Sequence, residues 1–390
     1  MREFTRRRHR LERMVREAGV DLLAVSNPVN VSYLTNFSGD SSWLLIGPKR
    51  ALLVSDGRYT IQIQEECSEL DVHIRRTEQT IVQAVAEVLI KLGVHSVGVE
   101  ASHLTLAEFE ALRENAPAVS WSAMKKLVEK LRMIKDASEL VQIREAIQYA
   151  EKAHAMFRAM LTPADSEKEL GDAMDGYLRR AGAMGSSFPT IVGVGDNSAK
   201  PHAPLSQRRA DESPFLLLDW GASGRFYKSD ITRMIWHGEK ASVGASARRA
   251  PRATVEDRLK KLYTIVLEAQ TRALKQLRPG VTASTVDEAV RSYLEREGYN
   301  KYFNHGLGHG IGLQIHEGPN IRAKSPDVLE AGMVFTLEPG VYLPDFAGVR
   351  IEDDILLTPD CPEVLTHVPK SVDEVFSTSE FGFPISDSRQ

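Results

Sequence analysis

The sequence predicts an α/β N-terminal domain followed by an α+β domain with an internal pseudo-twofold duplication. Three observations lead there. At 390 residues the chain exceeds the length over which one hydrophobic core usually grows. Short β-branched and apolar runs alternate with helical patterns up to residue 124. Beyond that point a helix, a proline break and a second helix recur with a shift of 116 residues. Leu161, Pro163, Ala173 and MDGYLRRAG (174–182) match Leu277, Pro279, Ala289 and VRSYLEREG (290–298). The resulting division is 1–124, a linker helix across 125–136, a second domain over 137–372 and a tail at 373–390.

MREFTRRRHRLERMVREAGV opens the first domain as a helix, with Phe4, Leu11, Met14 and Val15 on one face. It lacks the apolar stretch of a signal peptide, and Glu3, Glu12 and Glu17 argue against a mitochondrial presequence. Residues 20–27, 31–37, 42–47 and 51–56 read as strands between Asn, Pro, Gly and Ser punctuation. Strands near 72–76 and 96–100 then alternate with helices near 59–66, 78–92 and 104–115. Asp40, Asp56, Arg58 and Tyr59 read as solvated turn residues. In the second domain, Asp136 and Glu139 form a capping box for a helix over 137–161 whose apolar face carries Leu140, Ile143, Ile147, Ala150 and Phe157. Ser166 and Glu169 cap the next helix.

Composition narrows the function. A net charge of -4 and a pI near 6.3 leave no basic excess for nucleic acid. No run of about 18 apolar residues is present to span a membrane. Cys67 and Cys361 belong to no CxxC motif, so both are expected to be buried small hydrophobes in a reducing, cytoplasmic setting.

The second domain carries the chemistry. In FLLLDWGASGRFYKSDITRMIW (215–236) two apolar runs flank Gly221 and Gly224, as in a β-hairpin. A two-residue turn at Gly224 and Arg225 sets Asp219 opposite Asp230. In Phe335–Leu357 a loop centred near Asp345 likewise sets Glu338 opposite Glu352. Facing carboxylates repel, and burial worsens the repulsion, so two such pairs call for shared cations. Solvated edge carboxylates are the competing reading.

Between the repeats, residues 239–258 read as a mobile loop, with Arg248, Arg249 and Arg252 as a solvated charge run. Downstream, His305, His309 and His316 are interleaved with Gly306, Gly308, Gly310 and Gly312. So many glycines oppose a helix and favour an extended, closely approached backbone that leaves room for a ligand.

DWG, SDITR, HGLGHGIGL, HEGP, TLEPGVY and GVRIEDD together resemble the pita-bread metallopeptidases, in the branch of Xaa-Pro aminopeptidase (aminopeptidase P) and Xaa-Pro dipeptidase (prolidase). The resemblance implies a creatinase-like N-terminal domain ahead of a pita-bread domain. It implies Asp219, Asp230, His309, Glu338 and Glu352 as ligands of two divalent ions, bridged by Asp230 and Glu352. Mn²⁺ suits this oxygen-rich set, with Co²⁺ or Zn²⁺ as alternatives. A water bridging the ions would attack the carbonyl of an Xaa-Pro bond. Glu338 would transfer protons, and His305 and His316 would surround the substrate and tetrahedral intermediate. His202 and Phe188 would line the proline pocket, while Tyr342 and Arg350 would orient the bridging carboxylates or contact substrate. A homodimer through the N-terminal domain is also implied. Methionine-aminopeptidase-like, creatinase-like and non-catalytic peptide-binding proteins share the fold. They differ, respectively, in lacking the extra domain, in not using the metal site and in losing ligands.

Overall fold

The computed structural model describes residues 2–48, 50–238 and 252–377, and the chain divides into two compact units, 1–132 and 133–390. In the first unit, helix α1 (Arg2–Glu17) precedes strand β1 (Leu22–Val25), helix α2 (Pro28–Thr35), strands β2 (Trp43–Gly47) and β3 (Arg50–Ser55), helix α3 (Thr60–Glu66) and strand β4 (Asp71–Ile74). Helix α4 (Ile81–Leu92), strand β5 (Ser96–Glu100), helix α5 (Leu106–Asn115), strand β6 (Ser120–Met124) and helix α6 (Leu127–Met133) follow. The six strands form one sheet of order β4-β3-β2-β1-β5-β6. Capping boxes at Thr80/Gln83 and Thr105/Glu108 start α4 and α5, and Gly93, at φ 64°, ends α4.

Three expectations for this unit fail. Residues 31–37 are not a strand: Asn27 caps Val29 N–H and Pro28 opens a helix through Thr35. Local capping there outweighs the β-branched residues. Asp56 is buried rather than solvated, caps a turn at Gly57–Tyr59 and pairs with Arg58 at 2.7 Å. Strand β6 was not anticipated, because SWSAM has little apolar alternation. Cys67 is buried as expected, but Cys361, in the second unit, is exposed, since it sits in a turn beside Thr358.

The second unit starts with helices α7 (Ala137–Met160) and α8 (Glu167–Ala181), each with its predicted capping box. Strands β7 (Gly185–Ser186), β8 (Ile191–Val194), β9 (Phe215–Trp220), β10 (Ala222–Ser223) and β11 (Ile231–Trp236) follow, with order β11-β9-β8 in one sheet and β10 on β7. Helices α9 (Arg252–Gln276) and α10 (Ala283–Arg296) repeat the α7–α8 pair. Strands β12 (Gly308–Gly310), β13 (Glu317–Ile321), β14 (Val334–Leu337), β15 (Gly340–Leu343), β16 (Ala347–Arg350), β17 (Asp353–Leu357) and β18 (Pro362–Val364) precede helix α11 (Val372–Phe376). Five of them form a sheet of order β13-β12-β14-β17-β18, and β15 pairs with β16. The predicted loop over 239–258 does not hold for its last seven residues. Residues 252–258 already belong to α9, where Glu256 and Lys260 pair at 2.7 Å across one turn. Residues 239–251, with Arg248 and Arg249, lie outside the described residues.

Strand β9 explains why FLLLDW is apolar almost throughout. Leu216, Leu218 and Trp220 pack with residues of α7 and α8, including Ala150, Phe157 and Leu170. Phe215 and Leu217 pack with Leu262, Val266 and Val290 of α9 and α10. A strand buried on both faces needs no polar alternation.

Two buried polar groups beside this core predict measurable effects. His154 stacks on Trp220 with ring centroids 4.9 Å apart, and burial lowers its pKa from 6.5 to about 3. The unfolded chain therefore binds a proton that the folded chain refuses, so stability should fall as pH drops from 6.5 towards 3. Urea unfolding should show a loss on the order of 2 kcal/mol between pH 7 and 5 that is absent in His154→Phe. Arg233 and Asp353 form a 2.6 Å pair with side chains 2% and 0% exposed. Arg233→Leu should destabilise by about 3–5 kcal/mol in the same assay, because it strips the buried carboxylate of its main counter-charge.

Candidate metal centre

The two hairpins converge on one point. β9 and β11 pair with Asp219 opposite Thr232 and Trp220 opposite Ile231. The two-residue turn expected at Gly224 and Arg225 is therefore displaced by one residue, and Asp230 does not face Asp219. The same register continues to the end of the hairpin, through an isolated bridge between Ser223 and Lys228 and a Gly224 N–H bond to the Tyr227 carbonyl, so the two-residue turn falls at Arg225 and Phe226 and each partner is shifted by two residues. Asp230 and Thr232 still alternate onto one side of the chain, so Asp230 becomes a diagonal neighbour of Asp219. In the second hairpin, Leu337 pairs with Asp353 and Gly340 with Arg350, a register that sets Glu338 opposite Glu352 as the sequence predicts. An isolated bridge between Thr232 and Glu352 joins the hairpins.

His309 comes from β12, where the glycines have a steric reason. A Cβ on Gly308 would lie 2.0 Å from the Thr336 carbonyl oxygen, and one on Gly310 would lie 1.9 Å from that of Gly318. The close approach was foreseen, but here it makes room for neighbouring backbone rather than for a ligand.

Asp230, His309 and Glu352 bring ligand atoms within 4.8 Å of one another. His309 Nε2 lies 3.6 Å from both Asp230 Oδ2 and Glu338 Oε1. Asp219 is held by Arg350 at 2.6 Å and lines the same cavity of ≈ 590 Å³. Its Oδ1 and that of Asp230 are buried without a hydrogen-bond partner. Burial pushes the pKa of Asp230 well above the ordinary carboxylate value, and the charges of Glu352 and Asp219 add to it. Glu352 is raised by burial and by Glu338 and Asp219, and burial takes Glu338 up to about 7. Burial lowers His309 to about 4, so its ring is neutral at pH 7. With Nδ1–H donating to the Gly310 carbonyl at 3.2 Å, the Nε2 lone pair faces carboxylate oxygens. An acceptor opposed by acceptors, with orphaned carboxylate oxygens beside it, fits bound cations.

The remaining predicted residues surround this point. Phe188, His202, His305, His316 and Arg350 line the cavity. Tyr342 does not, but stands behind it. Arg350 donates to Tyr342 Oη at 2.8 Å, so the Tyr342 hydroxyl donates to His305 Nε2 at 2.9 Å. His316 packs edge-on against His309, with centroids 4.3 Å apart. Sequence reasoning missed three contributors. Thr232 hydrogen-bonds Glu352, Asp354 accepts from Asp230 N–H, and Arg322 lines the cavity. Thr232 and Asp354 lie inside motifs already singled out, so their spacing two residues from Asp230 and Glu352 was the available signal.

Known proteins share this sequence pattern and fold. Residues 141–359 match metallopeptidase family M24, and residues 7–134 match the Creatinase/Prolidase N-terminal domain. An Xaa-Pro dipeptidase from Bacillus anthracis superposes with a TM-score of 0.86 at 37% identity, covering 94% of this chain and 99% of that one. An X-Pro aminopeptidase from Thermotoga maritima MSB8 superposes with a TM-score of 0.82 at 32% identity, covering 93% and 99%. An uncharacterized peptidase, YqhT, of Bacillus subtilis (strain 168) is 32% identical over 366 residues, 93% of this chain and 98% of its own length.

The carboxylate arrangement predicts metal stoichiometry. Asp230→Asn and Glu352→Gln should each retain fewer ions than the parent after dialysis against Mn²⁺, as counted by plasma mass spectrometry. Full occupancy in both variants would remove Asp230 and Glu352 from the ligand set.

Proposed function

The chain belongs to metallopeptidase family M24, and on that premise we propose that it hydrolyses the Xaa-Pro peptide bond with two divalent ions held by Asp219, Asp230, His309, Glu338 and Glu352. The observation that carries the metal site is the neutral His309 Nε2 set 3.6 Å from two carboxylates. When bound, the ions would polarise the scissile carbonyl and acidify a water.

The side chains supply the rest. Glu338, raised to about 7, sits with Oε1 towards His309 and Oε2 3.8 Å from His305 Nδ1. It can accept a proton near neutral pH and return it to the departing proline nitrogen, which leaves as a secondary amine. His305, lowered by burial to about 4, is a neutral ring fixed between the Gly306 carbonyl and the Tyr342 hydroxyl. It shapes the site without competing for that proton. Phe188, Ile191, Leu205 and Ile315 give the cavity an apolar wall for a pyrrolidine ring, with His202 and His316 beside it.

Arg322 favours the dipeptidase form of this reading. Its side chain is exposed at the cavity and makes no ion pair among the described residues, leaving a cation for the free carboxylate of a terminal proline. The proposal includes a homodimer through the N-terminal domain and a cytoplasmic setting.

Metal-loaded protein should release alanine from Ala-Pro and fail on Ala-Pro-Ala when each is supplied alone. Cleavage of only the tripeptide would point to the aminopeptidase. Hydrolysis of creatine in the presence of chelator, with neither peptide cut, would end the metallopeptidase reading. Arg322→Ser should raise the KM for Ala-Pro about 10-fold to 100-fold with little change in kcat, as expected for one lost charged hydrogen bond.

A further inference from the structure

Thr232 stands where the two hairpins meet, and its side chain is fully buried. Its cross-strand partner is Asp219, and its backbone oxygen accepts from Glu352 N–H at 3.2 Å. Arg233 secures that junction by donating to the carbonyl oxygens of both Thr232 and Glu352, at 3.0 and 2.6 Å. The Thr232 hydroxyl lies 2.9 Å from Arg350 Nε and 2.6 Å from Glu352 Oε2.

The proton on that hydroxyl is directed towards the carboxylates. Arg350 Nε–H can only donate, so Thr232 Oγ1 accepts there and gives its own hydrogen to a carboxylate; Asp219 is within its reach, and the 2.6 Å contact to Glu352 Oε2 makes Glu352 the acceptor. The same guanidinium donates to Asp219 Oδ2 at 2.6 Å. One cation and one hydroxyl thus restrain a carboxylate from each hairpin.

We propose that Thr232 is a positioning residue that sets the affinity of this centre for divalent cations by fixing the orientation of the Glu352 carboxylate. The inference rests on the reading that Glu352 holds a cation. Its basis is a hydroxyl whose donor direction is dictated by its neighbour, in a place where valine would fill the same volume.

The shape match makes the idea testable apart from packing. Thr232→Val keeps the branched side chain and removes the donor; Thr232→Ser keeps the donor and removes the methyl group. The full-length protein, stripped of metal, is titrated with Mn²⁺ while free ion is read from its EPR signal. Thr232→Val should bind Mn²⁺ about 10-fold to 100-fold more weakly than the parent, as for other groups that orient metal ligands, and Thr232→Ser should match the parent. A packing role would give the reverse order, with Val unchanged and Ser weakened. Unchanged affinity in Thr232→Val, or an equal loss in Thr232→Ser, overturns the proposal. A parent protein that takes up no Mn²⁺ overturns the metal reading itself, which separates the two failures without any assay of peptide cleavage.

Discussion

The arrangement depends on mutual repulsion held in check. Asp219, Asp230, Glu338 and Glu352 crowd one cavity, and burial with like charge pushes the pKa of Asp230 and Glu352 well above the ordinary range. Such a cluster opposes folding unless positive charge enters it. Arg350 offsets one carboxylate, and the geometry of His309 marks where further positive charge belongs. The protein keeps this point polar between two apolar cores.

Buried charge elsewhere is treated differently. Asp353 lies between Glu352 and Asp354 in the chain but turns the other way, where Arg233, Lys370, Thr366 and Gln270 all reach it. Burial would raise its pKa, yet Arg233 and Lys370 hold it below the usual carboxylate range. Three successive acidic residues thus serve two environments, because strand geometry sends alternate side chains to opposite faces. One face is saturated with donors and rigid; the other is left short of them.

Much of this was legible in the chain. The duplicated helix pairs, the capping boxes at Asp136 and Ser166, and the register around Asp345 all follow from local pattern, and the structure contains each. The first hairpin was misread by one residue, because the turn sits at Arg225 and Phe226 and not on Gly224, and a shift of one residue in the turn moves every cross-strand partner by two. The helix at Pro28–Thr35 was misread because its cap, not its composition, decides it. Thr232 escaped notice because a threonine in a strand is ordinary until the groups on either side of its hydroxyl are known. Arg322 draws attention only once folding sets it at the cavity, with no ion pair among the described residues.

Strand β9 has a consequence for how such a domain can arise. Its Leu216 face belongs to the α7–α8 core and its Phe215 face to the α9–α10 core. A chain of half this length would leave one of those faces bare in water, and the simplest cover is another copy of itself. Fusion into one polypeptide would then have freed the copies from having to match. One half now places two aspartates at the cavity, and the other a histidine and two glutamates. Asymmetry of that kind is closed to an assembly of identical subunits.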